Sequence, residues 1–119
     1  MSHADSPPFV VEHRGGIHVI QFTSESLIDQ AQIQEVGSEL ERIIVNSGHP
    51  KIIIDLSTLS QVSSAMLGVL INLNMKARSM KGQIRIASVP TSIMEVFKLT
   101  RLDKLLKIYE TTEAAMLKF

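Results

Sequence analysis

Strands that alternate with amphipathic helices predict an α/β domain, and three features of the sequence carry that expectation. The continuous apolar run Ile52-Ile53-Ile54 suits a central strand covered on both faces. On either side of it lie segments with apolar residues at three- and four-residue spacing. Ile33, Val36, Leu40, Ile43 and Ile44 precede the run; Leu67, Leu70, Ile71 and Met75 follow it. Near the start, Gly15-Gly16 separates two short β-type runs, as a hairpin turn would. The implied order is β-β-α-β-α-β-α-β-α. It describes a mixed, mostly parallel sheet of about five strands packed by about four helices, the hairpin adding an antiparallel member.

Taken in order, residues 1–8 are polar, end in Pro7-Pro8 and read as a flexible leader, leaving 9–119 as one domain. Phe9, Val10 and Val11 open the first strand, and residues 17–23 form the second, with Ile17 and Val19 set against His18 and Gln21. Residues 24–30 are a polar connection anchored by Leu27 and Ile28. A helix starts at Ala31 and stops at Asn46-Ser47-Gly48, and His49-Pro50 leads into a strand over 51–56. A polar loop over 57–63 precedes a helix from Ser64 that Gly82 stops, and residues 83–87 give another strand. Pro90 fits the first turn of a third helix with Ile93, Val96 and Phe97 as its stripe. Beyond Arg101-Leu102-Asp103, residues 106–109 form the last strand. Thr111 or Thr112 caps a closing helix that turns Ala115, Met116 and Phe119 inward. Met66, Met75, Met80 and Met94 read as core filling, whereas Asn72 and Asn74 read as solvent-facing.

Composition narrows the function. The 119 residues carry 12 basic and 12 acidic side chains, a net charge of zero, with no basic stripe, acidic tail or polybasic segment. Binding to nucleic acid or to a membrane surface is therefore not expected. With no Cys there is no disulfide, thiolate nucleophile or thiolate metal site, which fits a reducing, cytoplasmic setting. His3, His13, His18 and His49 lack metal-type spacing, so no metal is expected. No phosphate-cradling glycine loop or dinucleotide fingerprint appears, and no cofactor or enzymatic activity is expected.

The chemistry concentrates in residues 55–70. This segment leaves the carboxyl end of an inner strand, crosses a serine-rich loop and enters a helix, the place where α/β sheets usually present ligands or partners. Read from the residues alone, Ser63 or Ser64 is an N-cap, and a phosphate on Ser64 would also suit the positive helix end. Asp55 either holds the loop or helps bind a partner or a phosphate-linked metal, the structural role being favoured. Glu25 and Asp29 precede the first helix and read as a solvated polar loop on the same side.

Asp55-Leu56-Ser57, followed at ungapped spacing by Leu67-Gly68-Val69-Leu70, resembles the signature of STAS domains, specifically the bacterial anti-sigma factor antagonists. Val96-Phe97-Lys98-Leu99-Thr100, Leu102-Asp103-Lys104-Leu105 and the closing residues 109–114 extend the resemblance over most of the chain. It implies the STAS (SpoIIAA-like) topology, with Ser64 at the place of the family's phosphorylated serine. Asp55, Ser57, Ser63, Ala65, Met66 and Gly68 become the partner-facing loop and helix start. The implied partners are an anti-sigma factor, often also a serine-protein kinase, and a serine phosphatase. Two positions depart from the pattern: Ser63 replaces the family's Asp, and Met66 replaces its Gly, placing a bulky side chain where a partner would approach. Two other functions fit the residues: a STAS scaffold that is not phosphorylated, and a nucleotide or small-anion sensor at the loop and helix start.

Overall fold

The computed structural model describes residues 8–27 and 29–119. β1 (Phe9–Arg14) and β2 (Ile17–Phe22) form the antiparallel hairpin, in register from Phe9↔Phe22 to Arg14↔Ile17. Its two turn residues, Gly15 and Gly16, both have positive φ (57° and 83°), as a tight turn matched to strand twist requires. The Phe9 and Phe22 rings meet edge to face, their centroids 6.1 Å apart. The supposed leader falls outside the described residues except for Pro8, whose carbonyl accepts the Thr23 N–H at 2.9 Å. Ile28, one of the expected anchors, also lies outside them; Leu27, the other, is buried.

Beyond the hairpin lie the two-residue strand β3 (Ser26–Leu27) and helix α1 (Gln30–Asn46). Next come β4 (Lys51–Asp55), the two-residue β5 (Gln61–Val62) and α2 (Ser64–Ser79). The chain closes with β6 (Gln83–Ala87), α3 (Thr91–Leu99), α4 (Leu102–Leu105), β7 (Lys107–Tyr109) and α5 (Thr112–Met116). The main sheet has the order β1-β2-β4-β6-β7, parallel from β2 onward, and puts β4 at its centre as the Ile run predicts. Ile52 and Ile54 face the larger core, against Ile33, Val36, Leu40 and Ile44 of α1 and Met66, Leu70 and Leu73 of α2. Ile53 faces the opposite way, into a smaller cluster with Ile17, Val19, Ala87 and Ala115 that α5 covers.

Several expectations need correction. The segment over 57–63 is not simply a polar loop: it contains β5, which pairs with β3, and buries Leu59. Helix α4 fills a stretch expected to be a connection, and Pro90 precedes α3 as its N-cap. Asn74 is buried, on a helix that packs against β6, whereas Met75 is 62% exposed. Thr111, not Thr112, caps α5, its Oγ1 accepting the Ala114 N–H at 3.0 Å.

Arg85 is a buried cation held without a carboxylate among the described residues. It donates to the carbonyls of Ala115 (2.7 Å), Leu117 (2.7 Å) and Lys118 (3.0 Å), and to Gln83 Oε1 (3.1 Å). The rings of Tyr109 and Phe119 lie 5.1 and 4.2 Å from its guanidinium carbon. Carbonyl dipoles and aromatic faces replace the hydration it gives up, which fastens the end of the chain onto the sheet.

Gly82 is needed for closeness rather than for its conformation: a Cβ there would collide with the backbone and ring of Pro50. Gly82→Ala should therefore destabilise the fold by about 1–3 kcal/mol, read as a lowered midpoint in urea with an unchanged slope. In the hairpin, His18 faces its register partner His13 with ring centroids 4.5 Å apart, and its Nδ1 is buried without a partner among the described residues. Burial, and secondly the charge of His13, lower its pKa below 6.5. The unfolded chain then takes up the proton first, so stability should fall as pH drops through about 6.5. His18→Phe should flatten that part of a Tm-against-pH curve.

Candidate functional site

At the carboxyl end of β4, the Asp55 carboxylate is buried and uses both oxygens. Oδ1 accepts the Ser57 N–H at 2.8 Å, and Oδ2 accepts the Thr112 hydroxyl at 2.7 Å. The first bond turns the chain out of the strand; the second ties the start of α5 to the same point. Leu56 N–H donates to the Ala87 carbonyl at 3.0 Å and Leu59 N–H to the Leu56 carbonyl at 3.0 Å, completing the turn. Ser57 is exposed at its outer edge.

The second half of the loop is laced to the segment before α1. The Glu25 carbonyl accepts the Ser60 N–H (2.7 Å), the Ser60 hydroxyl (3.2 Å) and the Gln61 N–H (3.4 Å). Ser63 N–H donates to the Leu27 carbonyl at 3.2 Å. Thus Glu25 does lie beside the serine loop, but its backbone, not its carboxylate, makes these contacts. Asp29 caps α1, Oδ1 accepting the Gln32 N–H at 3.1 Å.

The two serines divide the helix start between them. Ser63 is the N-cap, with extended backbone (φ −93°, ψ 167°); its Oγ accepts the Met66 N–H at 3.4 Å. Its carbonyl accepts the N–H groups of Met66 (3.1 Å) and Leu67 (3.3 Å). Ser64 is the first helical residue, exposed, and its hydroxyl makes no hydrogen bond to another described residue. Ala65 is half-buried. Met66 is wholly buried in the core. The expectation that it crowds an approaching partner is thereby corrected: the helix turns that position towards α1 and the sheet.

Ser64, Gly68, Asn72 and Met75 recur at spacings of four and three along α2 and so share one face. Gly68 is half-buried, and a Cβ built there meets nothing within 4 Å, so no described residue crowds the position. By contrast Gly37 of α1 lies against Val69, whose methyls would stand 3.4 Å from a Cβ. The open face at Gly68 and Met75 could not be read from apolar periodicity, which assigns Met75 to the core. Thr112 was equally hidden, 57 residues from its partner Asp55.

Among the described residues no group of three or more His, Asp or Glu could hold a metal ion, and no helix is long and apolar enough to cross a membrane. A family profile, STAS domain, matches residues 8–115. The chain belongs to the STAS domain family. A protein of Thermotoga maritima with the provisional name anti-sigma factor antagonist is 35% identical over 72 residues, covering 60% of this chain and 64% of that protein. The chain thus spans 64% of the length of the curated relatives it matches. A crystal structure from the same organism, under the same provisional name, superposes with a TM-score of 0.79 at 25% identity, covering 91% of each chain. A Planctomyces limnophilus STAS domain protein reaches 0.82 at 20% identity, over 92% of this chain and 95% of that one, which shows the shared fold.

In this STAS domain, replacing Gly68 by Ala should add about 0.5–1 kcal/mol of stability, since the helix loses a flexible residue and meets no obstruction. Its urea midpoint should rise while that of the Gly82 variant falls.

Proposed function

We propose that this STAS domain is an anti-sigma factor antagonist that binds an anti-sigma factor through the Ser64 end of α2 while the Ser64 hydroxyl is free. Phosphorylation of Ser64, by a partner that is also a serine kinase, breaks the contact, and a serine phosphatase restores it. The observation that carries this reading is the separation of roles at the helix start: Ser63 caps, leaving the Ser64 hydroxyl exposed and without a structural task. Names borne by relatives of this chain support the partner class.

The physics favours a switch that acts between proteins rather than within the fold. A phosphate at the first helical residue brings about −1.5 to −2 charges to the positive end of the helix dipole, where it is tolerated or mildly stabilising. Buried against a partner, the same charge would have to shed its water without a guaranteed counter-ion, which is strongly unfavourable. The open stripe of Gly68 and Met75 continues the docking face beyond Ser64. No step calls for a cofactor or for catalysis by this chain.

A second reading is a STAS interaction module outside sigma control that is never phosphorylated. Ser63 favours it, because the family's carboxylate, on which a kinase could draw for recognition, is absent there.

Calorimetric titration with candidate anti-sigma factors from the same organism tests both. Ser64→Asp should weaken binding by about a hundredfold, or ~3 kcal/mol, while its Tm stays at or slightly above that of the parent. Ser64→Ala should bind normally and take up no phosphate from ATP. Unchanged affinity of the Asp variant would sink the switch.

A further inference from the structure

At the end of the sheet opposite the serine loop, the fold gathers basic side chains that lie far apart in sequence. Lys51 opens β4 and Lys107 opens β7, while Arg78 and Lys81 stand at the end of α2 and His49 precedes β4. They surround two adjoining cavities that share Gly82 and Gln83. One, of about 390 Å³, is lined by His49, Lys51, Lys81 and Phe119; the other, of about 220 Å³, by Arg78 and Lys107 together with the buried Asn74. Neither cavity is lined by an Asp or Glu. Among the described residues the ion pairs are made by Arg14 and Arg42, so these four Lys and Arg groups have no carboxylate within 4.0 Å.

Helix ends account for part of the cluster, since Arg78 stands in the last turn of α2, where a cation is favoured. At the end of α2 the Ala77 carbonyl already accepts the N–H groups of Met80 (3.1 Å) and Gly82 (2.9 Å), and the Arg78 carbonyl accepts that of Lys81 (3.0 Å). Lys51 opens β4, four residues past the C-cap of α1, and Lys107 follows the C-cap of α4. Four exposed cations at one end of a neutral chain, around cavities that no Asp or Glu lines, favour an anion there.

The walls add shape to charge. The larger cavity lies within the range of small-ligand sites, roughly 300–1,000 Å³. Phe119 supplies an apolar wall, braced by the Arg85 guanidinium 4.2 Å from its centroid. Gln83 Oε1 accepts from Arg85 Nε at 3.1 Å, which leaves the amide NH₂ as its free donor end. Gly82 seats the floor by packing on Pro50.

We propose that this pole of the STAS domain binds a small phosphate-bearing molecule. Lys51 and Lys81 hold the phosphate, Gln83 donates to it, and Phe119 packs the remainder. Lys51 and Asp55 are the two ends of β4, about 13 Å apart along the strand, so the site is separate from the Ser64 face and does not depend on its role.

Titration of inorganic pyrophosphate and of ATP into the ¹⁵N-labelled full chain tests this. Saturable amide shifts are expected at Lys51, Lys81, Gly82 and Gln83, weakening as salt rises, with the Ser64 amide unmoved. Tighter binding of ATP than of pyrophosphate would assign the ligand to the nucleotide class; equal binding would assign it to simple phosphates. Lys51→Glu combined with Lys81→Glu, both on exposed positions, should weaken binding at least about tenfold and leave the rest of the spectrum in place. The proposal fails if neither probe gives saturable shifts, or if the charge reversal leaves affinity unchanged. It also fails if shifts spread equally to Arg42 and Lys104, or if the chain binds vesicles of anionic lipid but not pyrophosphate.

Discussion

The Asp55 carboxylate ties together the parts of this molecule that matter most. It sits at the end of the central strand, and its two oxygens fix two different things: the first turn of the serine loop through Ser57, and the start of α5 through Thr112. A buried carboxylate is tolerable only when its oxygens are engaged, and here both are. The loop therefore leaves β4 in one direction, and the helix covering the opposite face of the sheet is anchored at the same point. Arg85 completes the arrangement at the far end of α5, where carbonyls and aromatic rings solvate its charge. One buried anion and one buried cation thus hold the two ends of the same short closing segment without touching each other.

With the loop start fixed, the helix start can be specialised. Ser63 satisfies the N–H of Met66 and takes on the capping task, so the next hydroxyl is released from structure. This order of the two serines matters more than their presence. Had Ser64 been the cap, its modification would have disturbed the helix and the fold together. The glycines show a similar division: Gly82 answers to the close approach of Pro50, whereas a Cβ at Gly68 would meet no described residue within 4 Å.

The sheet also separates chemistry by pole. Its carboxyl ends carry the serine loop and the Asp55 junction. Its amino ends carry Lys51 and Lys107, joined there by the basic end of α2. The chain is neutral overall, yet this pole is not. Parallel strands make such segregation easy, because residues that open successive strands all emerge on one side.

Legible in the residues alone were the alternation of strands and helices, the place of Ile52-Ile53-Ile54 at the centre of the sheet, the Gly15-Gly16 turn and the serine-bearing segment, and with them the family. These are local patterns: each depends on the period of burial along a few residues or on the dihedral freedom of a turn. Tertiary structure alone decided the rest. β5 looked like polar loop because its pairing partner, β3, lies across the first helix. Asn74 went inside and Met75 outside because helix rotation is set by what α2 packs against, not by side-chain type. Ser63 and Ser64 were equivalent as caps until the backbone gave Ser63 the extended conformation. The Asp55–Thr112 bond and the basic pole join residues far apart along the chain, and charge carries no periodicity from which such meetings could be read. Contacts of that kind exist only once the sheet has brought its strand ends together.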